Sequence, residues 1–371
     1  MKIEEFKMER MQSKWEFHVD YNLSESGVYP MTLEELVPYD NFADLAKTSL
    51  GYLQTNGTTG LRERIAHIYP GAGIENILVT TGSAEANFLL MWKFLEPGDE
   101  VLIMLPNYMQ MWGLMKSFGA CIKPFYLRAD LDWNPDLTEL RNLISQKTKL
   151  IAVTNPNNPT GAQMNEEARR TIIELADSVG AWIFSDEVYQ GAELDGQITP
   201  SLWGSYKKVI VTSGLSKAYG LPGLRAGWMA GPADTMQEIW TYHDYTTISL
   251  SAVSDKLARI VLEPENRKRI LNRTRNILNN NFPILDEWFK RQGDIFDYIP
   301  PKAGAIVYPH YSLNINSTEL IDKLRREKSV LLVPGDQFEM DRYIRFGFGE
   351  KEDYLRKALD CVEEALNEIK R

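Results

Sequence analysis

Between residues 76 and 214, short Val/Ile-rich apolar runs alternate with stretches of helical period, and this alternation leaves few folds open to the chain. NILVTT (76–81) leads into Gly82-Ser83-Ala84, which reads as a helix opening. EVLIML (100–105) reads as a strand, 109–118 as a helix, CIKPFYL (121–127) as a strand and 136–145 as a helix. KLIAVTN (149–155) is then a strand, 165–179 a helix, and AWIFSDE (181–187) and KKVIVTS (207–213) are strands. Strands that are apolar at successive positions are covered on both faces, so the pattern predicts an α/β fold with a mostly parallel central sheet.

From about Ser251 the texture changes. Long charged helical stretches are followed by GAIVYPHYS, a helix near 318–327, SVLLVPG, YIRFGFG and a C-terminal helix. A smaller α+β domain is expected there, packed closely on the first because no low-complexity linker separates them. The expected division is a large domain over 41–250, with 1–40 and 251–371 forming the small domain.

Lys plus Arg number 41 and Asp plus Glu 51, a net charge of −10, which gives no general attraction for nucleic acid or anionic membranes. Two cysteines, Cys121 and Cys361, argue against a disulfide framework and for a reducing compartment. The charged N-terminus lacks the apolar stretch of a signal peptide, and no apolar run approaches the ~20 residues that span a bilayer. A cytoplasmic protein is expected. Neither GxxxxGK[ST] nor GxGxxG after a strand occurs, so a nucleotide-binding reading fails.

Ligands of parallel sheets sit at the carboxyl ends of strands. The residues that follow these strands are Gly82-Ser83-Ala84, Asn155-Pro-Asn-Asn-Pro-Thr-Gly161, then Asp186, Glu187 and Tyr189, and finally Ser213-Gly-Leu-Ser-Lys217. Taken singly, NPNNPTG is turn chemistry, the acidic pair is a solvated strand end or a metal site, and a lone lysine is a surface charge. Their order makes them specific.

The run Ser213-Gly-Leu-Ser-Lys-Ala-Tyr-Gly-Leu-Pro-Gly-Leu-Arg-Ala-Gly-Trp228 resembles the cofactor-lysine signature of class I/II aminotransferases, the fold type I enzymes dependent on pyridoxal phosphate (PLP). NPNNPTG, Asp186-x-x-Tyr189, Pro106-x-Tyr108 and YIRFGFG resemble companion motifs, and the likeness runs from about Tyr52 to the C-terminus. It implies Lys217 as the amine that joins PLP in a Schiff base and later moves a proton. Asp186 is implied at the ring nitrogen, Asn158 and Tyr189 at the phenolic oxygen, and Tyr108 stacked on the ring. The phosphate falls to Gly82, Ser83, Ala84, Ser216 and Arg225. Tyr52 is implied to reach the phosphate of a neighbouring subunit, which makes a homodimer with a shared site the expected assembly. Gly214 departs from the pattern, since many relatives carry serine three places before the lysine.

Arg345 in YIRFGFG is implied as the clamp for a substrate α-carboxylate, with Asn158 beside it. In relatives the N-terminal segment closes over the site as a lid. Ser26 and Glu9 of this segment are candidate substrate contacts, and Glu9 or Glu25 either meets a cationic side chain such as a guanidinium or is a solvated charge of a highly charged segment. Trp15, Tyr29 and Tyr308 are candidates for the pocket wall or for the core.

The expected reaction is transamination from an L-amino acid to a 2-oxo acid through pyridoxamine phosphate. The alternative is a PLP-dependent cyclase or lyase acting on an arginine-derived amino acid, because GLSKAYGLPGLRAGW is partly similar to capreomycidine-synthase-like enzymes. A cofactor-sensing transcription regulator is disfavoured by the short segment before the motifs and by the acidic charge.

Overall fold

The computed structural model describes residues 2–37 and 42–369. The expected domain boundary at 40/41 lies outside the described residues. An eight-stranded sheet forms the centre. In chain order its strands are β1 (Ile77–Thr80), β2 (Glu100–Leu105), β3 (Cys121–Arg128), β4 (Asn134–Pro135), β5 (Thr148–Thr154), β6 (Trp182–Asp186), β7 (Val209–Gly214) and β8 (Gly227–Ala230). Their spatial order is β1-β8-β7-β6-β5-β2-β3-β4.

The β3–β2–β5–β6–β7 run is parallel throughout. β8 is antiparallel to both its neighbours, β7 and β1, so β1 points the same way as β7. The sequence pattern did not mark β8 or the two-residue β4 as strands. GWMA is only four residues long, and its role is to bring the chain back beside β7 after the lysine loop.

Successive residues of each strand enter opposite layers of core. Val101, Ile103, Leu150, Ala152, Phe184 and Ile210 pack with the Ser83–Phe94, Gln110–Ser117 and Ala233–His243 helices. Leu102, Met104, Ile151, Val153, Ile183 and Val211 face the other layer, which holds the Glu166–Val179 helix and runs on into the C-terminal part. All twelve are almost wholly buried, and each fully buried aliphatic side chain contributes roughly 1.5–3 kcal/mol. Two helices start one residue inside the sequence-derived limits because the first polar residue serves as a cap. Asp136 accepts from the amides of Thr138 and Glu139, and Asn165 from that of Ala168. Gly180 closes the Glu166–Val179 helix in the left-handed region, at φ 69°.

The 28-residue helix Pro264–Arg291 and the helices Ser317–Lys328 and Glu352–Ile369 surround short strands. Ile344–Gly347 is the middle strand of three, between Ile306–Val307 and Val333–Pro334. The N-terminal segment joins this part, as Tyr21–Asn22 pairs in parallel with Val330–Leu331.

Gly214 and Gly227 face each other across β7 and β8. A Cβ on Gly227 would lie 2.3 Å from the Gly82 carbonyl carbon and 2.5 Å from the Ser83 nitrogen. Side chains are therefore excluded where the Gly82–Ser83 turn crosses the sheet edge. Gly227→Ala is expected to cost about 1–3 kcal/mol through overpacking, while Gly223→Ala, which meets open space, leaves the melting temperature unchanged. Thermal unfolding of the two variants checks this.

Candidate active site

Because β1, β2, β5, β6 and β7 run in one direction, the loops after them meet at one edge of the sheet. A cavity of about 500 Å³ lies there. Its floor holds Ser83 and Ala84 from the loop after β1, Tyr108 from that after β2, and Asn158 from that after β5. Asp186 and Tyr189 come with the end of β6, and Ser216, Lys217 and Arg225 with the loop after β7. Arg345 enters from the three-stranded sheet, and residues 6–26 form the roof.

Asp186 is 4 % exposed. It accepts from the Val188 amide at 3.2 Å and from Asn87 Nδ2 at 3.4 Å. Burial outweighs those donors and pushes its carboxyl up to about 6. The Tyr189 hydroxyl donates to Ser26 Oγ at 2.8 Å. Arg345, 1 % exposed, gives one Nη to Asn158 Oδ1 at 2.8 Å and the other to the Ser24 carbonyl at 2.5 Å. Its Nε is buried without a partner, and burial lowers its pKa.

Lys217 Nζ lies 3.4 Å from Glu25 Oε2. Burial depresses the ammonium, but the negative charge of Glu25, with Tyr189 and Glu9 behind it, prevails and holds Lys217 above the ordinary lysine value. In return the Lys217 charge holds Glu25 below the usual carboxylate range.

At the other end, Arg225 takes the left-handed region at φ 49° and turns its guanidinium toward Ser216 Oγ at 3.4 Å. Gly82, at φ 79°, caps the Ser83–Phe94 helix, and a Cβ there would meet an Arg225 Nη at 2.5 Å. Glycine alone lets the guanidinium close on a helix start whose first N–H groups lack intrahelical partners, which is a cradle for an anion. A Cβ on Gly214 would lie 3.0 Å from the Ala226 carbonyl oxygen, so the cradle has little room for a serine at that place.

The roof is acidic. The Lys7–Trp15 helix places Glu9 so that its Oε1 accepts from the Tyr108 hydroxyl at 2.8 Å. Glu16 and Glu25 complete a set of three carboxylates around the opening. Burial, then the charges of Glu25 and Glu9, raise the Glu16 carboxyl. Glu16 was not singled out in the sequence. The signal was its position two helical turns after Glu9, on the face that also buries Gln12.

Trp15, Tyr29 and Tyr308 do not line the cavity. Trp15 stacks under Arg325 at 3.8 Å and Tyr29 under Arg273 at 4.5 Å, while Tyr308 packs among Trp133, Phe338 and Tyr343. Tyr52 is 86 % exposed and stands outside this chain's own cavity. Among the described residues, no group of three or more His, Cys, Asp or Glu is placed to hold a metal ion, and no helix is long and apolar enough to cross a membrane.

A profile described as "Aminotransferase class I and II" matches residues 22–362. The chain belongs to the class I and II aminotransferase family. It is 31% identical to a capreomycidine synthase of Streptomyces vinaceus, over 94% of this chain and 90% of that one. It is 26% identical to an aspartate aminotransferase of Pyrococcus horikoshii, over 88% and 87%. A PLP-dependent aminotransferase structure from Streptococcus suis 89-1591 superposes with a TM-score of 0.94 at 34% identity, covering all of both chains. The protein is thus a PLP-dependent enzyme of the aminotransferase family with the fold type I architecture. The cavity fits that cofactor: it offers a primary amine, a buried carboxyl poised near 6, an aromatic ring and a glycine-lined cationic cradle.

Glu187 follows Asp186, is 2 % exposed and leaves Oε2 without a partner. It accepts from Ser185 Oγ and the Leu202 amide, both at 2.9 Å, and burial pushes its carboxyl from 4.5 up to about 7. An acid with a raised folded pKa costs stability as it ionises. The cost is absent below about pH 4.5 and complete above about pH 7. Glu187→Gln should therefore match the parent near pH 4.5 and exceed it by roughly 1–3 kcal/mol at pH 8. Equal melting temperatures at pH 8 would contradict the assignment.

Proposed function

We propose that this enzyme transfers the amino group of an L-amino acid with a cationic side chain to a 2-oxo acid. The observation that carries the reading is the polarity of the cavity, with Lys217, Arg225 and Arg345 on the floor and Glu9, Glu16 and Glu25 in the roof. Such a cavity suits a molecule that is anionic at its α-carboxylate and cationic at its far end.

PLP, when bound, supplies an electron sink for the pair of electrons left on the substrate α-carbon. In this reading Lys217 Nζ forms the covalent attachment and afterwards, as a free amine, carries a proton to and from that carbon. Asp186 would face the ring nitrogen and favour a proton there, and Tyr108 would supply the aromatic face for the ring. Ser83, Ala84, Ser216 and Arg225 hold the phosphate through backbone N–H groups, a hydroxyl and a guanidinium. Arg345, with its unpaired Nε, takes the α-carboxylate beside Asn158. The N-terminal helix excludes water from above. In a homodimer, the exposed Tyr52 of one subunit would complete the phosphate site of the other. A cytoplasmic location accords with the cysteine usage.

A second reading is cyclisation or elimination on a guanidino amino acid. The relative named capreomycidine synthase favours it, as does a carboxylate, Glu25, beside the catalytic amine.

The test is the visible spectrum of the yellow protein as single amino acids are added without an oxo acid. Arginine, lysine and ornithine are expected to shift it at lower concentration than alanine or aspartate, and a 2-oxo acid to restore it. Glu16→Gln should raise KM for the cationic substrates about tenfold, the loss of one charge-assisted contact, and spare neutral ones. Equal response to neutral and cationic amino acids would contradict the substrate class. A changed amino acid product with no demand for an oxo acid would select the second reading.

A further inference from the structure

Glu25 brings negative charge to the lysine nitrogen proposed to join PLP, and its backbone is firmly held. The Gly347 amide donates to the Leu23 carbonyl at 2.7 Å. A Cβ on Gly347 would lie 2.1 Å from the Glu25 carbonyl oxygen, so this stretch is pressed onto the strand that carries Arg345. Ser26 is held by the Tyr189 hydroxyl. The Cβ position of Gly27 is 3.6 Å from both Cα and Cδ of Lys217, which leaves ordinary contact and no spare room. Residues 25–27 are thus packed along the lysine, and the backbone that carries the 3.4 Å carboxylate–ammonium pair is fixed on both sides, while the Glu25 side chain itself is 44 % exposed.

We propose that Glu25 is a positioning residue that holds a proton on Lys217 Nζ, in the free amine and again once that nitrogen is joined to PLP. The inference rests on Lys217 being the attachment point. Condensation of the amine with the PLP aldehyde releases one water and leaves a nitrogen with one lone pair. A proton there makes the adjacent carbon a better target for the incoming substrate amine, and an anion beside the nitrogen favours that proton.

The other groups that act on this nitrogen are Glu9 and Glu16 from the roof, Tyr189 from the loop after β6, and Arg345, which opposes the proton. Glu9 is engaged by the Tyr108 hydroxyl. Among the described residues Glu25 is the carboxylate in ion-pair contact with Lys217. It also sits close enough to Arg345 to feel its charge, so a substrate α-carboxylate arriving at Arg345 adds a negative charge beside it. Binding and the proton on Nζ are thereby coupled.

The experiment follows the visible spectrum of the PLP-loaded protein against pH in the parent, Glu25→Gln, Glu25→Ala, Glu25→Asp and Glu9→Gln. The midpoint of the colour change is expected to move to lower pH by about one to three pH units in either neutral variant. Recovery should be partial in Glu25→Asp, and the change smaller in Glu9→Gln. A second readout uses cofactor-free protein: near pH 7 PLP should attach faster to the neutral variants, because more of the lysine is unprotonated. Since Gln and Ala give the same reading, one folded neutral variant is enough. A neutral variant that titrates at the parent midpoint and takes up PLP at the parent rate overturns the proposal. A parent with no visible band after incubation with PLP overturns the attachment reading instead, and this proposal with it.

Discussion

Five strands running in one direction bring five loops to one edge of a sheet, and the rest of the site depends on that alignment. Asp186 ends β6, Lys217 follows β7, and Asn158 lies in the loop after β5. None of the three is near another in sequence. The parallel ladder fixes their separation, and two layers of buried aliphatic residues hold the ladder rigid. The antiparallel strand β8 adds a second constraint. Its Gly227, opposite Gly214, lets the Gly82–Ser83 turn approach to a distance that any side chain would block.

On this frame the charges are separated by origin. The sheet edge and the C-terminal part contribute the cations Lys217, Arg225 and Arg345, while the N-terminal segment contributes Glu9, Glu16 and Glu25. In the proposed reading the floor serves a cofactor phosphate and a carboxylate, and the acidic roof faces the far end of the substrate. One group breaks the separation. Glu25 descends from the roof to within 3.4 Å of Lys217 Nζ, and so ties the N-terminal segment to the lysine that follows β7.

The strands of the parallel run and the helices between them were legible from periodicity, since most of the strands are apolar at successive positions and two of the helices open on the polar caps Asp136 and Asn165. β8 was not, because four residues after a glycine-rich loop carry too little pattern, and its pairing is decided by tertiary contact. The floor residues were legible because each follows a strand in a motif of fixed order. The roof was legible only in part. Glu9 and Glu25 stood out as charges in the N-terminal segment, but Glu16 shows its role only when the helix places it two turns beyond Glu9 and over the cavity. For three aromatic residues the sequence left pocket wall and core both open. Trp15 and Tyr29 are taken by arginine stacking and Tyr308 by a separate aromatic cluster, choices that no local pattern encodes.

Lys217, at the meeting point of those loops, is the residue proposed to bond the cofactor. Reduction of the PLP-loaded protein with borohydride fixes the attachment permanently, and peptide mass spectrometry then locates it. The reduced protein should carry one phosphopyridoxyl group per chain, on the peptide that contains Lys217, and a Lys217→Ala protein none. A label on any other lysine, or a Lys217→Ala protein labelled to the same extent, would contradict that attachment.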